Sequence, residues 1–161
     1  MLIVDGYNVI GRNPILREKK STSLERARIA LANMVFTWNQ RHDSYDCLIV
    51  FDGRDPIGSN SSKVIVSGVR CLFTKTKIEA DDEIIRAVRE SLGVASNITV
   101  VSDDNYVGNN CRAHGATVEP ASYFDKSQNK GSANRSASGE KTMDQKSISE
   151  INKEQRIRFG L

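Results

Sequence analysis

Several features that would point to common protein classes are absent from this sequence of 161 residues. Its three cysteines are far apart and form no CxxC pair, which argues against a disulfide framework and a zinc knuckle. No apolar run approaches the roughly 20 residues that a membrane-spanning helix needs. The chain opens directly on an apolar strand, so we expect no signal peptide. These absences predict a cytoplasmic protein with no membrane partner.

The charge is distributed unevenly along the chain. Residues 1–124 contain 15 Lys and Arg against 15 Asp and Glu, whereas residues 125–161 contain 8 against 5, so the net charge of +3 comes from the second part. The segment 125–146 is rich in Ser, Asn, Gly, Lys and Gln. Such a composition cannot bury enough apolar surface to offset the entropy of ordering, so it predicts a disordered linker. We therefore expect a folded domain over 1–124, this linker, and a short basic helix or tail over 147–161.

Short apolar runs alternate with amphipathic helical patterns in the first 124 residues. This alternation predicts a three-layer α/β/α fold with a mainly parallel central sheet. A polar loop is expected after the first strand, and Ser67-Gly68 is expected to interrupt a strand as a bulge. The predicted strands are 2–5, 47–52, 64–73, 98–103 and 116–118. The predicted helices are about 23–40, 80–92 and 104–113.

Acidic residues stand where several of these elements end or begin. Three predicted strands end in Asp5, Asp52 and Asp103, and Asp81-Asp82 opens a predicted helix. Because the carboxyl ends of strands in an open α/β sheet lie along one edge, we expect these carboxylates to share a cleft. Ionised carboxylates held together repel one another unless cations neutralise them. Oxygen ligands without His or Cys select Mg²⁺ or Mn²⁺, which can activate water for phosphodiester hydrolysis.

Each aspartate also has a structural interpretation. Asp81 or Asp82 can be a charge that is favourable near a helix N-terminus. Asp104 can be a helix N-cap, and Asp52 with Gly53 can form a turn. Aspartates at the ends of three buried strands and at a helix start, taken together, favour the functional interpretation.

The same residues carry a resemblance to a known family. The segment Val4–Ile10, with the sequence VDGYNVI, resembles the opening motif of NYN domains, which are PIN-like nucleases. An ordered set of motifs over residues 1–124 resembles the bacterial YacP-type branch. The motifs of this set lie at residues 5–8, at 51–53, at 73–75 followed by 79–82, and at 101–103.

This resemblance implies a PIN-like fold and divalent-metal-dependent endoribonuclease activity. The branch includes a ribosome-associated enzyme that cleaves mRNA during translation, so the resemblance implies RNA, mRNA in particular, and the ribosome as partners. By position it implies that Asp5, Asp81 and Asp103 are catalytic metal-binding residues, with Asn8 as the motif companion of Asp5.

Two further acids complete the predicted metal-binding set. Asp52 matches a second-strand aspartate of the family, and Asp82 stands where family members often carry Glu. One alternative is a non-catalytic RNA- or ribosome-binding module with the same fold. A phosphohydrolase of small substrates is a weaker alternative, because Asp5-Gly6-Tyr7 lacks a DxD nucleophile pair and no phosphate-binding GxxxxGK motif is present.

Basic and aromatic residues occupy the predicted loops around the acidic cleft. Contacts to RNA phosphates need Lys and Arg there, and an aromatic ring can stack on a base. The simpler alternatives are a solvated surface charge for each cation and packing against a helix for the ring. The predicted RNA-binding residues are Arg12, Arg54, Lys75, Lys77 and Tyr7.

Overall fold

The computed structural model describes residues 1–42, 45–53, 63–75, 77–91 and 95–125. Within these ranges the strands are β1 (Leu2–Asp5), β2 (Cys47–Asp52), β3 (Lys63–Val66), β4 (Val69–Thr74), β5 (Thr99–Val101) and β6 (Thr117–Glu119). The helices are α1 (Gly6–Arg12), α2 (Pro14–Thr22), α3 (Leu24–Asn39), α4 (Lys77–Glu90) and α5 (Asn105–Ala113), with a 3₁₀ turn at Ala95–Asn97.

The strands form one sheet in the order β3-β4-β2-β1-β5-β6. Strand β1 lies in the middle and pairs in parallel with β2 and β5, while β3 alone runs antiparallel to its neighbour. The carboxyl ends of β1, β2, β4 and β5 therefore lie along one edge of the sheet. This edge is called the carboxyl edge below.

Both faces of the sheet are covered, because alternate side chains of the central strands enter two separate apolar cores. Leu2 and Val4 of β1 pack on the side of α1, α2 and α3. Ile3 of the same strand packs on the side of α4 and α5. Burial on both faces is the reason why β1 and β2 are continuous apolar runs. The predicted three-layer α/β/α fold with a mainly parallel sheet is confirmed.

The predicted polar loop after β1 was wrong, because this stretch forms α1 and α2. Asp5 caps the first of these helices, and Asn13 caps the second through its Oδ1, which accepts a hydrogen bond from the backbone N–H of Leu16 at 3.0 Å. Pro14 occupies the first turn of α2, where its missing N–H costs nothing. Helix α2 is short and mostly exposed, with only Leu16 buried, so its sequence carries a weak apolar periodicity.

The predicted bulge at Ser67-Gly68 was also wrong. These two residues form the turn of a hairpin between β3 and β4, and both have positive φ angles, 49° and 79°. Two successive residues in this conformation give the turn whose twist matches a two-residue hairpin. The single strand expected over 64–73 is therefore two antiparallel strands.

Helix α4 begins at Lys77, three residues before the predicted start. Asp81 and Asp82 consequently lie beyond its first turn, and the acid in the first turn is Glu79. The Glu79 carboxylate accepts a hydrogen bond from the backbone N–H of Lys75 at 2.8 Å. Helices α3 and α5, in contrast, match their predicted bounds to within a residue.

The predicted linker and the terminal helix or tail lie outside the described residues. Among the helices that the structure describes, none combines the length and the apolar character that crossing a membrane would require.

Candidate active site

Asp5 lies at the centre of the carboxyl edge, where β1 ends and α1 begins. One oxygen, Oδ1, accepts a hydrogen bond from the backbone N–H of Asn8 at 3.4 Å, which makes Asp5 the N-cap of α1. The other, Oδ2, accepts a hydrogen bond from the hydroxyl of Ser102 at 2.8 Å. Since Ser102 directly follows β5, this bond joins the ends of two neighbouring strands and fixes the carboxylate.

The electrostatic environment of Asp5 identifies its acidic neighbours. The pKa of Asp5 is raised from 3.8 to about 6, mainly by burial and to a smaller extent by the negative charges of Asp81 and Asp104. The hydrogen bonds from Ser102 and Asn8 act in the opposite direction. Like charges shift a pKa in this way only when they are near. Asp81 and Asp104 are therefore acidic neighbours of Asp5 at the carboxyl edge.

Asp104 is a site residue that the sequence analysis treated only as a possible helix cap. It is indeed the N-cap of α5, because its Oδ1 accepts hydrogen bonds from the backbone N–H groups of Tyr106 at 2.9 Å and Val107 at 3.5 Å. Its own backbone N–H donates to the Ser102 hydroxyl at 3.0 Å. Side chains alternate in extended chain, so position 104 falls on the same side as 102. That alternation was a signal in the sequence that could have identified it.

Asp103 lies at the same edge, but its carboxylate is engaged elsewhere. Oδ1 accepts a hydrogen bond from the backbone N–H of Ala121 at 3.2 Å, and Oδ2 lies 3.6 Å from Nε of Arg12. The backbone N–H of Asp103 donates to Oδ1 of Asn8 at 2.9 Å. Asn8 thus links the start of α1 to the segment after β5.

The other two predicted acids, Asp52 and Asp82, have different environments from Asp5. Asp52 is half-buried at the end of β2, and its charge contributes to a raised pKa of Tyr7. Asp82 is exposed on α4. Neither contributes to the raised pKa of Asp5, whose acidic neighbours are Asp81 and Asp104.

The predicted RNA-binding cations have varied positions. Arg12 is exposed and lies beside Asp103, as described above. Lys75 is exposed directly after β4, at the carboxyl edge. Arg54 and the side chain of Lys77 lie outside the described residues.

Tyr7 is half-buried and packs within the fold. Its ring centroid is 5.2 Å from that of Phe51, and its hydroxyl oxygen accepts a hydrogen bond from Nε of Arg28 at 2.8 Å. Burial raises the pKa of Tyr7, and Arg28 opposes that rise. Arg28 was not predicted as a site residue, although it lies three residues before Leu31 and seven before Val35 on the buried face of α3. An arginine on an apolar stripe was the available signal.

The donor set fits a hard divalent cation, because Asp5, Asp81 and Asp104 offer oxygen atoms alone. In the described part of the chain, no three His, Cys, Asp or Glu side chains come close enough together to hold a metal ion. The three carboxylates therefore influence one another electrostatically without forming a closed coordination shell.

A cleft of about 370 Å³ elsewhere in the molecule is larger than the hollow at the acidic site. It lies between α4 and the β3–β4 hairpin, with Leu48, Ile65 and Leu72 among its lining residues. A polar hollow of about 190 Å³ adjoins the acidic site and is lined by Ser102, Asp103 and Asp104. The volume of a cleft therefore does not identify the acidic site. The site is identified by the positions of the strand ends.

Carboxylates at the carboxyl edge of a mainly parallel, three-layer sheet are the arrangement of a PIN-like nuclease domain. The model of the YacP-like NYN domain family matches residues 2–159. The chain therefore belongs to the family of YacP-like NYN domains, as its motifs predicted. The match includes the segment that sequence composition separated as a linker and tail.

Individual relatives agree with this assignment. The Bacillus subtilis (strain 168) protein YacP is 32% identical over 104 residues, which are 65% of this chain and 60% of that protein. The chain thus spans less than two thirds of the length of this relative. The crystal structure of the W164L mutant of Rae1 (YacP) from B. subtilis matches with a TM-score of 0.64 at 25% identity, covering 83% of this chain and 77% of that one. A second Rae1 (YacP) structure matches with a TM-score of 0.62 at 20% identity, covering 99% and 87%, and shows the shared fold.

Proposed function

We propose that this protein is a divalent-metal-dependent endoribonuclease that hydrolyses phosphodiester bonds of RNA. The observation that carries the proposal is the buried carboxylate of Asp5 at the carboxyl edge, which hydrogen bonds from Ser102 and Asn8 hold in place and which has Asp81 and Asp104 as acidic neighbours. A buried group of like charges is costly by itself, and a bound cation removes that cost. Mg²⁺ and Mn²⁺ are the ions that such a set of oxygen donors selects.

Each residue of the site has a part in this proposal. Asp5, with Asp81 and Asp104 as its acidic neighbours, would bind the ion together with water, because Mg²⁺ keeps several waters and needs only one or two protein carboxylates. When bound, the ion supplies a polarised phosphate and an activated water. Ser102 holds one oxygen of Asp5 and Asn8 the other, so the carboxylate is fixed before any ligand arrives. Preorganised groups of this kind need no rearrangement during the reaction.

The remaining predicted acids are assigned more peripheral parts. Asp103 and Arg12 form a pair beside the site, and Asp103 acts on it through the hydrogen bond from its backbone to Asn8. Asp52 and Asp82 stay predictions as additional metal-binding residues. Arg12, Lys75, Lys77 and Arg54 stay predictions as contacts to the RNA backbone.

The proposed biological role is supported by the resemblance of the motifs to the family. We propose that the substrate is mRNA, that cleavage takes place at the ribosome, and that the protein acts in the cytoplasm. Sequencing of RNA ends after incubation with mRNA, with and without translating ribosomes, tests these statements. Equal cleavage at the same sites without ribosomes would contradict the ribosomal role.

The activity itself is tested with a labelled single-stranded RNA and three proteins: wild type, Asp81→Asn and Asp46→Asn. Asp46 is a matched control, since it is an exposed aspartate paired with Arg70 at the opposite edge of the sheet. We expect Asp81→Asn to lower the cleavage rate by on the order of 100-fold or more, as loss of one preorganised charge-stabilising group does. Asp46→Asn should cleave like wild type, and EDTA should stop cleavage.

Two results would decide against this function. Cleavage by Asp81→Asn at the wild-type rate, or cleavage unaffected by excess EDTA, would exclude a metal site at this edge. A wild-type protein that binds RNA and never cleaves it, across substrates and with Mn²⁺ added, would establish the non-catalytic RNA-binding alternative.

A further inference from the structure

Arg28 of α3 is a buried cation enclosed by aromatic rings at the carboxyl edge. Only 8% of its surface is exposed. Its guanidinium carbon lies 5.4 Å from the ring centroid of Tyr7, 5.8 Å from that of Phe51 and 5.0 Å from that of Phe73. Contacts at these distances between a guanidinium and ring faces are attractive. The three rings form what is called the aromatic cage below.

The hydrogen bonding of Arg28 is incomplete. Nε and Nη2 both donate to the hydroxyl oxygen of Tyr7. A guanidinium has five N–H donors, and Tyr7 offers one neutral oxygen. Among the residues that the structure describes, no carboxylate is paired with Arg28. A buried charge is normally paired with an opposite charge, so the aromatic cage leaves part of the guanidinium available to an anion.

The aromatic cage stands directly beside the acidic site. Tyr7 is two residues from Asp5, and Phe51 packs so closely on the intervening Gly6 that a Cβ there would lie 2.3 Å from its Cε1. Nζ of Lys20 lies 5.9 Å from the ring centroid of Tyr7 and adds a second positive charge. An RNA strand that reaches the acidic site would therefore pass the positive charges of Arg28 and Lys20, which are opposite to the charge of its phosphates.

We propose that Arg28 binds a phosphate of the RNA strand next to the phosphate that is cleaved, while Tyr7 fixes the guanidinium in place. This assignment rests on the proposed function, since it deepens the account of the same site. The planar guanidinium suits phosphate because two parallel N–H groups can bind two phosphate oxygens. One edge of the guanidinium is already bound to Tyr7. Arg28 therefore loses little further conformational freedom when the other edge binds a phosphate.

The test is the binding of a single-stranded RNA decamer, followed by fluorescence anisotropy at several salt concentrations in EDTA, so that no cleavage occurs. Arg28→Met keeps the aromatic cage filled by an apolar side chain. Arg26→Met is the matched control, because Arg26 is exposed on the same helix. We expect Arg28→Met to weaken binding by about tenfold or more, as loss of a charge-assisted hydrogen bond does. The slope of log affinity against log salt should become shallower by about 0.7, the value for one phosphate on a single strand.

The controls separate a phosphate contact from a structural role. Arg28→Lys, which keeps the charge and loses the planar fork, should restore the salt slope but only part of the affinity. Arg26→Met should change neither quantity. An unchanged salt slope in Arg28→Met, with or without a loss of affinity, would overturn the proposal.

A measurement on the wild-type chain keeps the test valid even if Arg28→Met does not fold. The ¹⁵N–H signal of the Arg28 Nε group can be assigned from its change in Tyr7→Phe. We expect this signal to shift when the RNA decamer is added and not when an uncharged nucleoside is added. Absence of a shift at saturating RNA would overturn the proposal. Because binding is measured without cleavage, a failure of the nuclease function alone would leave this result unaffected.

Discussion

The carboxyl edge of the sheet has two halves that differ in charge and in construction. At β1 and β5, short polar side chains hold a group of acids around Asp5. At β2 and β4, large rings enclose the cation Arg28. Only Gly6 separates Asp5 from Tyr7, so opposite charges occupy neighbouring positions on one surface. This combination suits a site that must hold a metal cation and a polyanionic chain together.

The two halves also differ in what stabilises them. The acidic half depends on hydrogen bonds to Asp5 from Ser102 and Asn8, which act against the effects of burial and like charge. The cationic half depends on close packing, with the rings of Phe51 and Phe73 stacked at 5.2 Å. We therefore expect the acidic half to respond to pH and the cationic half to respond to side-chain volume.

The largest expected effect on stability comes from Asp5→Asn in metal-free protein. The pKa of Asp5 is about 6 in the folded protein and 3.8 ordinarily. Folding therefore favours the protonated form, and the ionised carboxylate lowers the free energy of unfolding above pH 6. Asparagine carries no such charge, so Asp5→Asn should be more stable than wild type at pH 8 by up to about 3 kcal/mol.

The sign of this effect is checked by urea unfolding at several pH values in EDTA. The difference between the two proteins should shrink as pH falls from 6 towards 3.8 and should vanish only below pH 3.8, where Asp5 becomes protonated in both states. An Asp5→Asn protein that is less stable than wild type at pH 8 would contradict the account of the acidic half.

A smaller effect is expected from Gly6→Ala, which adds a methyl group where the two halves meet. The new Cβ would lie 2.3 Å from Cε1 of Phe51 and 3.0 Å from the carbonyl oxygen of Val50, so the ring would have to move. Overpacking of this kind costs about 1–3 kcal/mol. Gly11→Ala on the same helix is the matched control, since nothing lies within 4 Å of its added Cβ.

Thermal unfolding of the two alanine variants measures this difference. Gly11→Ala should be as stable as wild type or more stable by up to about 1 kcal/mol, because alanine favours helix. Equal melting temperatures for Gly6→Ala and wild type would show that Phe51 is not held against Gly6 as the structure places it.

Much of the fold was predictable because strands buried on both faces leave continuous apolar runs in the sequence. The central strands and α3 follow from those runs and from helical periodicity. The helices α1 and α2 could not be predicted in this way, since they are short and only Val9, Ile10 and Leu16 among their large side chains are buried. The hairpin between β3 and β4 was hidden because its turn uses Ser67 in place of the Asn or Gly that usually marks such turns.

The candidate site was predictable where a side chain directly follows a buried strand. Asp5 could be assigned to the sheet edge because it ends a buried strand, whereas Asp81 lies within α4 and was assigned from the family motif alone. Asp104 was hidden because it also serves as a helix cap. Arg28 was missed for a different reason. Its enclosure depends on rings from α1, β2 and β4, which are distant in sequence and meet only in the folded protein. Such a contact leaves no local pattern in the chain.

The most direct test of the account is the binding of Mn²⁺ to the RNA-free protein, measured by isothermal titration. We predict that Asp5→Asn and Asp104→Asn lose most of the binding seen in wild type, whereas Asp103→Asn retains it, because Asp104 and not Asp103 contributes to the charge around Asp5. Retained binding in Asp104→Asn, together with loss in Asp103→Asn, would contradict the grouping of acids at the carboxyl edge.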